Sequence, residues 1–428
     1  MTVMNVLLEN LNGPLARLLF QFIVIILTTR VVGSLFARFG QPPVIGEITA
    51  GILLGPSLFG WLWPGASTFI FPKESLRVLQ LISQIGVCVF MFVVGLDLDL
   101  AHLRLKARAA LVISNVGIIV PFLLGAAGSL LLHRGFAAPG TPFTTFALFM
   151  GTAMSITAFP VLVRILKDRG LVKTPLGSLA IACAAVGDAS AWAMLAVVVA
   201  IARATGLATT VFNLGLIVGF VVIMLWIVRP QLPRWLGVDG AEAAPGRTVM
   251  AAALIFMTVS ALLTEIMGIH ALFGAFLAGV IMPQNKVFRD GLTLQLENFS
   301  GVFLMPLFFA FSGLRTHVGL MNDLASWLVC AGIIAVAMAG KLGGSMLAAK
   351  FTGMGWNESF TLGALMNARG LVELIALNIG YDLGILPPQI FTMMVIMALT
   401  TTFMTGPLLN LAGGSKRACP DSKPIVSP

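Results

Sequence analysis

Apolar stretches of about 20 residues follow one another along this chain, separated by short polar or Pro/Gly-containing breaks, and none alternates with a two-residue period. Such stretches cross a bilayer as helices, because hydrocarbon offers the backbone no hydrogen-bond partner outside its own segment. The breaks predict spans near 15–37, 43–62, 76–97, 108–132, 144–166, 176–202, 211–228, 247–267, 270–285, 296–314, 325–349, 357–381 and 388–411. The expected fold is therefore an all-α polytopic membrane protein of about thirteen transmembrane helices.

Composition agrees, with 58% hydrophobic and 10% charged residues. The net charge of +9 does not point to nucleic acid, since Lys and Arg sit in short loops rather than in a stripe or tail. With thirteen spans, the loops after odd-numbered spans and the C-terminal tail carry seventeen positive residues and those after even-numbered spans only five. The positive-inside rule then places the N-terminus outside and the C-terminus in the cytoplasm of a cell-membrane protein. Fusing spans 8 and 9 at the short Met267–His270 break would destroy that asymmetry. No cleaved signal is expected, and the four cysteines show no metal or disulfide spacing. No Ser/His/Asp set, metal-binding His/Glu spacing or Cys/His pair falls inside the spans, so neither enzyme chemistry nor a cofactor is expected.

Two sequence echoes recur seven spans apart. Gly46–Pro56 of span 2 (GEITAGILLGP) matches Gly274–Pro283 of span 9 (GAFLAGVIMP), and Phe90–Leu96 of span 3 matches Phe308–Leu314 of span 10. An odd offset inverts the second copy, which predicts two inverted six-helix repeats. The boundaries are 1–14 for an external N-terminal segment, 15–202 for the first repeat, 203–246 for a connector with span 7, 247–411 for the second repeat and 412–428 for a short cytoplasmic tail. Inverted repeats place their substrate near the midplane, where corresponding helices are broken. Span 5 carries Thr152, Ser155, Thr157 and Pro160, and span 12 carries Asn367, Arg369 and Gly370, so these two are expected to be the discontinuous crossing helices.

Chemistry is concentrated in a few intramembrane charges. Asp188 is the only charge between Leu176 and Ala202 and lies at that run's centre, where a charge costs roughly 2.5–3.5 kcal/mol. Residues placed at such cost mark ion or proton paths more often than helix anchors. Desolvation favours the neutral acid and a nearby cation favours the carboxylate, so Asp188 can be poised between holding a proton and holding a metal ion. The only metal expected is a transported alkali cation at Asp188, with Ser155 and Thr157 hydroxyls and freed backbone oxygens as its other ligands. One titrating group on this helix predicts one-for-one, electroneutral exchange. Lys341, Arg369 and Glu373 complete a core charge network in which structural or gating ion pairs are expected, Arg369 and Glu373 being four residues apart.

Four motifs in order, PPVIGEITAGILLGPS from Pro42, TAFPVLVRIL from Thr157, GDASAW from Gly187 and NARGLVEL from Asn367, resemble the monovalent cation:proton antiporter family. Its nearest branch is that of plant cation/proton exchangers and bacterial potassium-efflux antiporters. The resemblance implies a homodimer in which spans 1–3 and 8–10 form the dimer layer, while spans 4–6 and 11–13 form a core moving as an elevator. It implies that Asp188 is the essential ion-binding aspartate, Thr157 the crossing-helix threonine and Lys341 the basic residue of the eleventh span. Where family members often carry Asp, Asn or Gln before that aspartate, this chain has Gly187. The tail after Gly413 leaves no room for the nucleotide-binding domain that potassium-efflux relatives often append. The expected partners are H⁺, a monovalent cation (K⁺ or Na⁺), the lipid bilayer and a second copy of the chain. Rival readings are a sodium-coupled symporter of small organic anions, with Arg369 clamping the anion, and an ion channel or sensor.

Overall fold

A computed structural model describes residues 13–97, 107–172, 174–204, 206–237, 246–268 and 270–412. The expected terminal segments and the basic loop at 98–106 lie largely outside this set. The described residues are helical throughout, without strands: α1 (Pro14–Arg38), α2 (Pro43–Leu54), α3 (Lys73–Asp97), α4 (Ala107–Phe136), α5 (Phe143–Ser155), α6 (Phe159–Asp168), α7 (Pro175–Arg203), α8 (Leu207–Val222), α9 (Arg247–Ile266), α10 (Ala271–Val280), α11 (Lys286–Phe299), α12 (Met305–Leu314), α13 (Leu324–Met338), α14 (Gly344–Phe351), α15 (Trp356–Met366), α16 (Leu371–Asp382) and α17 (Pro388–Leu411), with short helical turns between some of them. Prolines open α1, α2, α7 and α17, where a missing N–H costs nothing. Asn285 and Thr174 cap α11 and α7 with their side chains.

Ten of these helical stretches are long and apolar enough to cross a membrane, and an eleventh is the α15–α16 pair, bent by 42° at its break. Two expected spans, 5 and 9, show only the shorter apolar helices α5 and α10. The tenth span starts earlier than its hydropathy suggests, because α11 is amphipathic and runs on through a π-helical turn, Ser300–Leu304, into α12. Large apolar side chains such as Leu131, Trp226 and Leu324 lie on the outer surface, which a lipid solvent accounts for and water would not.

Helix packing falls into two groups. In one, α2 lies on α1 and α12, and α3 on α10 and α12; in the other, α4 packs on α5, α7 and α14, and α16 and α17 on each other. Glycines set the closest approaches within the first group. A Cβ on Gly51 of α2 would stand 2.3 Å from the Ala310 carbonyl oxygen of α12, and one on Gly279 of α10 would stand 2.1 Å from that of Phe92 in α3. The span 2 echo thus packs on the span 10 echo, and the span 9 echo on the span 3 echo.

In the second group two helices stop in mid-protein. α5 ends at Ser155 and α6 resumes at Phe159, with Pro160 in its first turn; α15 ends at Met366 and α16 resumes at Leu371. The two breaks cross. The Ala158 N–H donates to the Ala368 carbonyl at 3.0 Å, so each break satisfies a backbone group that its own helix has released. Gly370 allows the approach, since a Cβ there would meet Val161 Cγ2 at 3.0 Å.

Candidate ion-binding site

Asp188 lies in the buried middle of α7, 1% exposed, and neither carboxylate oxygen has a hydrogen-bond partner among the described residues. The Phe159 N–H, first of α6, faces it electrostatically without closing a hydrogen bond, so the positive end of a half-helix points at the acid. One turn along α7, Trp192 stacks on Phe276 of α10 (centroids 6.1 Å apart), joining α7 to the other helix group.

The crossing supplies the surrounding oxygens. Thr157 Oγ1 donates to the Met366 carbonyl at 3.1 Å, which leaves its lone pairs to accept or coordinate. Ser155 Oγ donates to the Thr152 carbonyl at 2.8 Å, while the Thr152 hydroxyl itself is buried without a protein partner. Asn367 Nδ2 donates to the Thr401 carbonyl at 3.2 Å, leaving its Oδ1 unpaired. Freed carbonyls, hydroxyls and one carboxylate are the donor set that suits a hard monovalent cation. No group of three or more His, Cys, Asp or Glu able to hold a metal ion occurs among the described residues.

The basic residues hold the breaks open. Arg369 donates from Nη1 to the Ala153 carbonyl at 3.0 Å and from Nη2 to the Met154 carbonyl at 2.7 Å, the last carbonyls of α5. Its Nη1 also lies 3.5 Å from Glu373 Oε1, and both side chains are fully buried. The Thr402 hydroxyl accepts from the Arg369 N–H at 2.9 Å and donates to the Arg369 carbonyl at 2.8 Å. Lys341 sits in a π-helical turn, Ala339–Gly343, and donates to the carbonyls of Gly117 (2.8 Å) and Ser155. Among the described residues it closes no ion pair with Asp188 or Glu373, although both lie within its electrostatic reach. The expected ion pairing thus appears for Arg369 and Glu373, whereas Lys341 pairs with backbone carbonyls.

Asp188, Thr157, Ser155, Lys341, Arg369, Glu373, Thr152, Asn367 and Gly370 all lie on the crossing or on helices packed against it; the side chain of Pro160 lies outside the described set. The motif reading missed Thr402, Trp192 and the Phe159 N–H. Thr402 closes a T-T-T run inside span 13, a polar cluster that was the available signal; a backbone N–H leaves none.

The two ends of the protein differ. At one, a cavity of about 840 Å³ opens between Gln41 and Pro42 on one side and Arg164, Arg169 and Asn410 on the other. Beside it a cavity of about 200 Å³ reaches Phe159 between Asp97, Glu297, Arg164 and Lys167. At the opposite end a smaller cavity of about 460 Å³, lined by Cys88 and His270 among others, is spanned by polar bridges between the helix groups: Arg315 of the α12 terminus pairs with Asp382 of α16 at 2.7 Å, Gln80 of α3 donates to Asp382 at 2.9 Å, and Arg203 of α7 lies 4.0 Å from Glu265 of α9.

A multi-pass helical membrane protein with a buried carboxylate at two crossed helix breaks is an ion-transporter architecture, and the comparisons agree. The profile of the family described as sodium/hydrogen exchanger, transmembrane, matches residues 23–411, and the chain belongs to that family. It is 46% identical over 399 residues to the Na⁺/H⁺ antiporter NhaS4 of Synechocystis sp. strain PCC 6803, covering 93% of this chain and 97% of the relative. It is 41% identical over 404 residues to cation/H⁺ antiporter 17 of Arabidopsis thaliana, covering 93% of this chain but only 48% of that longer protein. The sodium proton antiporter MjNhaP1 of Methanocaldococcus jannaschii shares the fold, with a TM-score of 0.67 at 14% identity over 94% of this chain and 98% of that one.

Proposed function

We propose that this protein exchanges H⁺ for a monovalent cation, K⁺ or Na⁺, across a cell membrane, one for one, at Asp188. The observation that carries the reading is a fully buried carboxylate with no hydrogen-bond partner among the described residues, facing a half-helix N-terminus at the crossing that also holds the Thr157 and Ser155 hydroxyls. A buried acid in that state must be neutralised by a proton or by a metal ion. The two compete for the same oxygens, and neither the proton-loaded nor the cation-loaded site carries net charge across.

Alternating access is assigned to movement of the group holding the crossing (α4–α7 and α13–α17) against the group of α1–α3 and α9–α12, in the manner of an elevator. The larger cavity at the Arg169 end and the polar bridges across the smaller one at the Arg315 end support one state of such a cycle. On the positive-inside reading the Arg169 end is cytoplasmic. The glycine-mediated packing of the paired echoes supports the inverted repeats, and a homodimer through the first group is part of the same proposal. A symporter of organic anions fits less well, because Arg369 is committed to two carbonyls and Glu373, and the α6 N-terminus already faces Asp188.

The test is pH-dye fluorescence in proteoliposomes under an imposed ΔpH, with Na⁺, K⁺ or Li⁺ added in turn. Wild type should dissipate the gradient only with a transported cation, and Asp188→Asn with none. An amide variant that still couples the two ions, or a wild-type rate that grows with membrane voltage, overturns respectively the site and the stoichiometry.

A further inference from the structure

Four buried serines in these helices, Ser83, Ser129, Ser300 and Ser312, donate to the carbonyl one turn back at 2.7–3.1 Å, whereas Ser114, Ser345 and Ser359 have no partner among the described residues. Ser114, on α4, is 0% exposed. It is turned sideways to α7, where a Cβ built on Gly187 would meet Ser114 Oγ at 3.5 Å and nothing else within 4 Å. The glycine thus leaves room beside Asp188, and the hydroxyl at the edge of that room is unsatisfied. One turn along α4, the Gly117 carbonyl takes Lys341. The unpartnered Ser345 hydroxyl comes within 2.6 Å of where a Gly117 Cβ would stand. This face of α4 therefore carries two unpartnered hydroxyls among the described residues and lies against Gly187, the residue that precedes Asp188.

We propose that Ser114 is a specificity-determining residue of the ion site: its hydroxyl binds, beside Gly187, a water molecule retained by the cation that Asp188 holds. A water needs two to four polar partners, and the hydroxyl, the carboxylate and the ion supply them. The site then takes its cation only partly dehydrated. Smaller alkali ions hold their water more tightly, so the retained water favours them most.

The inference rests on the exchange reading above, and its test separates the two. Cation KM and maximal rate are measured in the proteoliposome assay for wild type, Ser114→Ala, Ser114→Thr and Gly187→Val, with Asp188→Asn as the reference. Ser114→Ala should raise the KM of the transported cation about tenfold, the loss of one hydrogen bond in a charged site, with a smaller change in maximal rate. Where more than one cation is exchanged, the smaller should be affected more; Ser114→Thr should restore the wild-type value. Gly187→Val fills the same room from the other side and should raise KM alike, which decides the matter if Ser114→Ala does not fold. KM within twofold of wild type in both variants overturns the proposal. Exchange that survives in Asp188→Asn strikes at the exchange reading instead.

Discussion

Arg369 and Glu373 stand 3.5 Å apart across the restart of a broken helix, both out of reach of water, and the arginine spends two further donors on carbonyls of the other broken helix. The guanidinium is thus a clamp between α5 and α16 more than a charge for a substrate. Removing it orphans two carbonyls and leaves a buried carboxylate unpaired, a loss of about 3–5 kcal/mol by the precedent of broken buried pairs. Arg369→Met should therefore melt far below wild type in detergent. A melting temperature within a few degrees of wild type would assign the residue to the ion path.

Lys341 makes the milder prediction. Its ammonium holds the Gly117 and Ser155 carbonyls, so Lys341→Gln should lower stability by about 1.5–3 kcal/mol, the worth of a hydrogen bond to a charged group, while turnover at saturating cation changes less. Abolished turnover with unchanged melting would make the lysine a participant in the ion cycle.

Competition at Asp188 has its own pH signature. In the range where the acid is protonated, each unit of acidification should raise the apparent KM for the cation about tenfold, while the maximal rate at saturating cation holds, because ten times more cation is needed to displace the proton. Measuring initial rates over a cation series at several equal internal and external pH values gives this directly. A KM that ignores pH would mean that proton and cation do not share the site.

The Arg315–Asp382 pair joins the two helix groups across the cavity that Cys88 lines, its side chains 16% and 31% exposed. A partly exposed bridge contributes about 0.2–1 kcal/mol. Asp382→Asn should thus shift the conformational balance up to about fivefold toward opening at that end. Cys88, which lines the cavity there, is the built-in reporter: an impermeant maleimide should modify it faster in the variant, whereas Cys183 and Cys330 are buried. An unchanged labelling rate would count against the latch.

Glycine substitutions offer a paired test of packing. Gly279→Ala drives a methyl to within 2.1 Å of the Phe92 carbonyl and should cost about 1–3 kcal/mol or more, while Gly128→Ala enters open space on α4 and should be neutral or slightly stabilising. Thermal melting of the two single variants side by side checks the contrast.

The sequence made Asp188, Arg369 and Glu373 legible because a charge inside an apolar run is costly enough to be informative by itself. Helix grouping was foreshadowed by the glycine echoes, which need close packing wherever they occur. The partners of Lys341 were not legible, since a carbonyl made available by a helix break looks like any other in the sequence, and a nearby carboxylate is the partner that charge suggests. The start of span 10 was hidden for a related reason: Arg289, polar by any hydropathy measure, is buried among the carbonyls of Leu96, Val280, Met282 and Pro283. Thr402 was missed although it closes a run of three threonines, because a hydroxyl within an apolar span usually bonds back to its own helix, as that of Thr401 does.

The Ala158 to Ala368 bond has a consequence for genetics. It couples the two interrupted helices through main-chain atoms alone, so no side-chain truncation removes it, although both alanines are fully buried and larger side chains would disturb it by crowding. Proline at 158 deletes the donor itself. A lesion there should loosen the contact between the two breaks while every charged side chain stays in place.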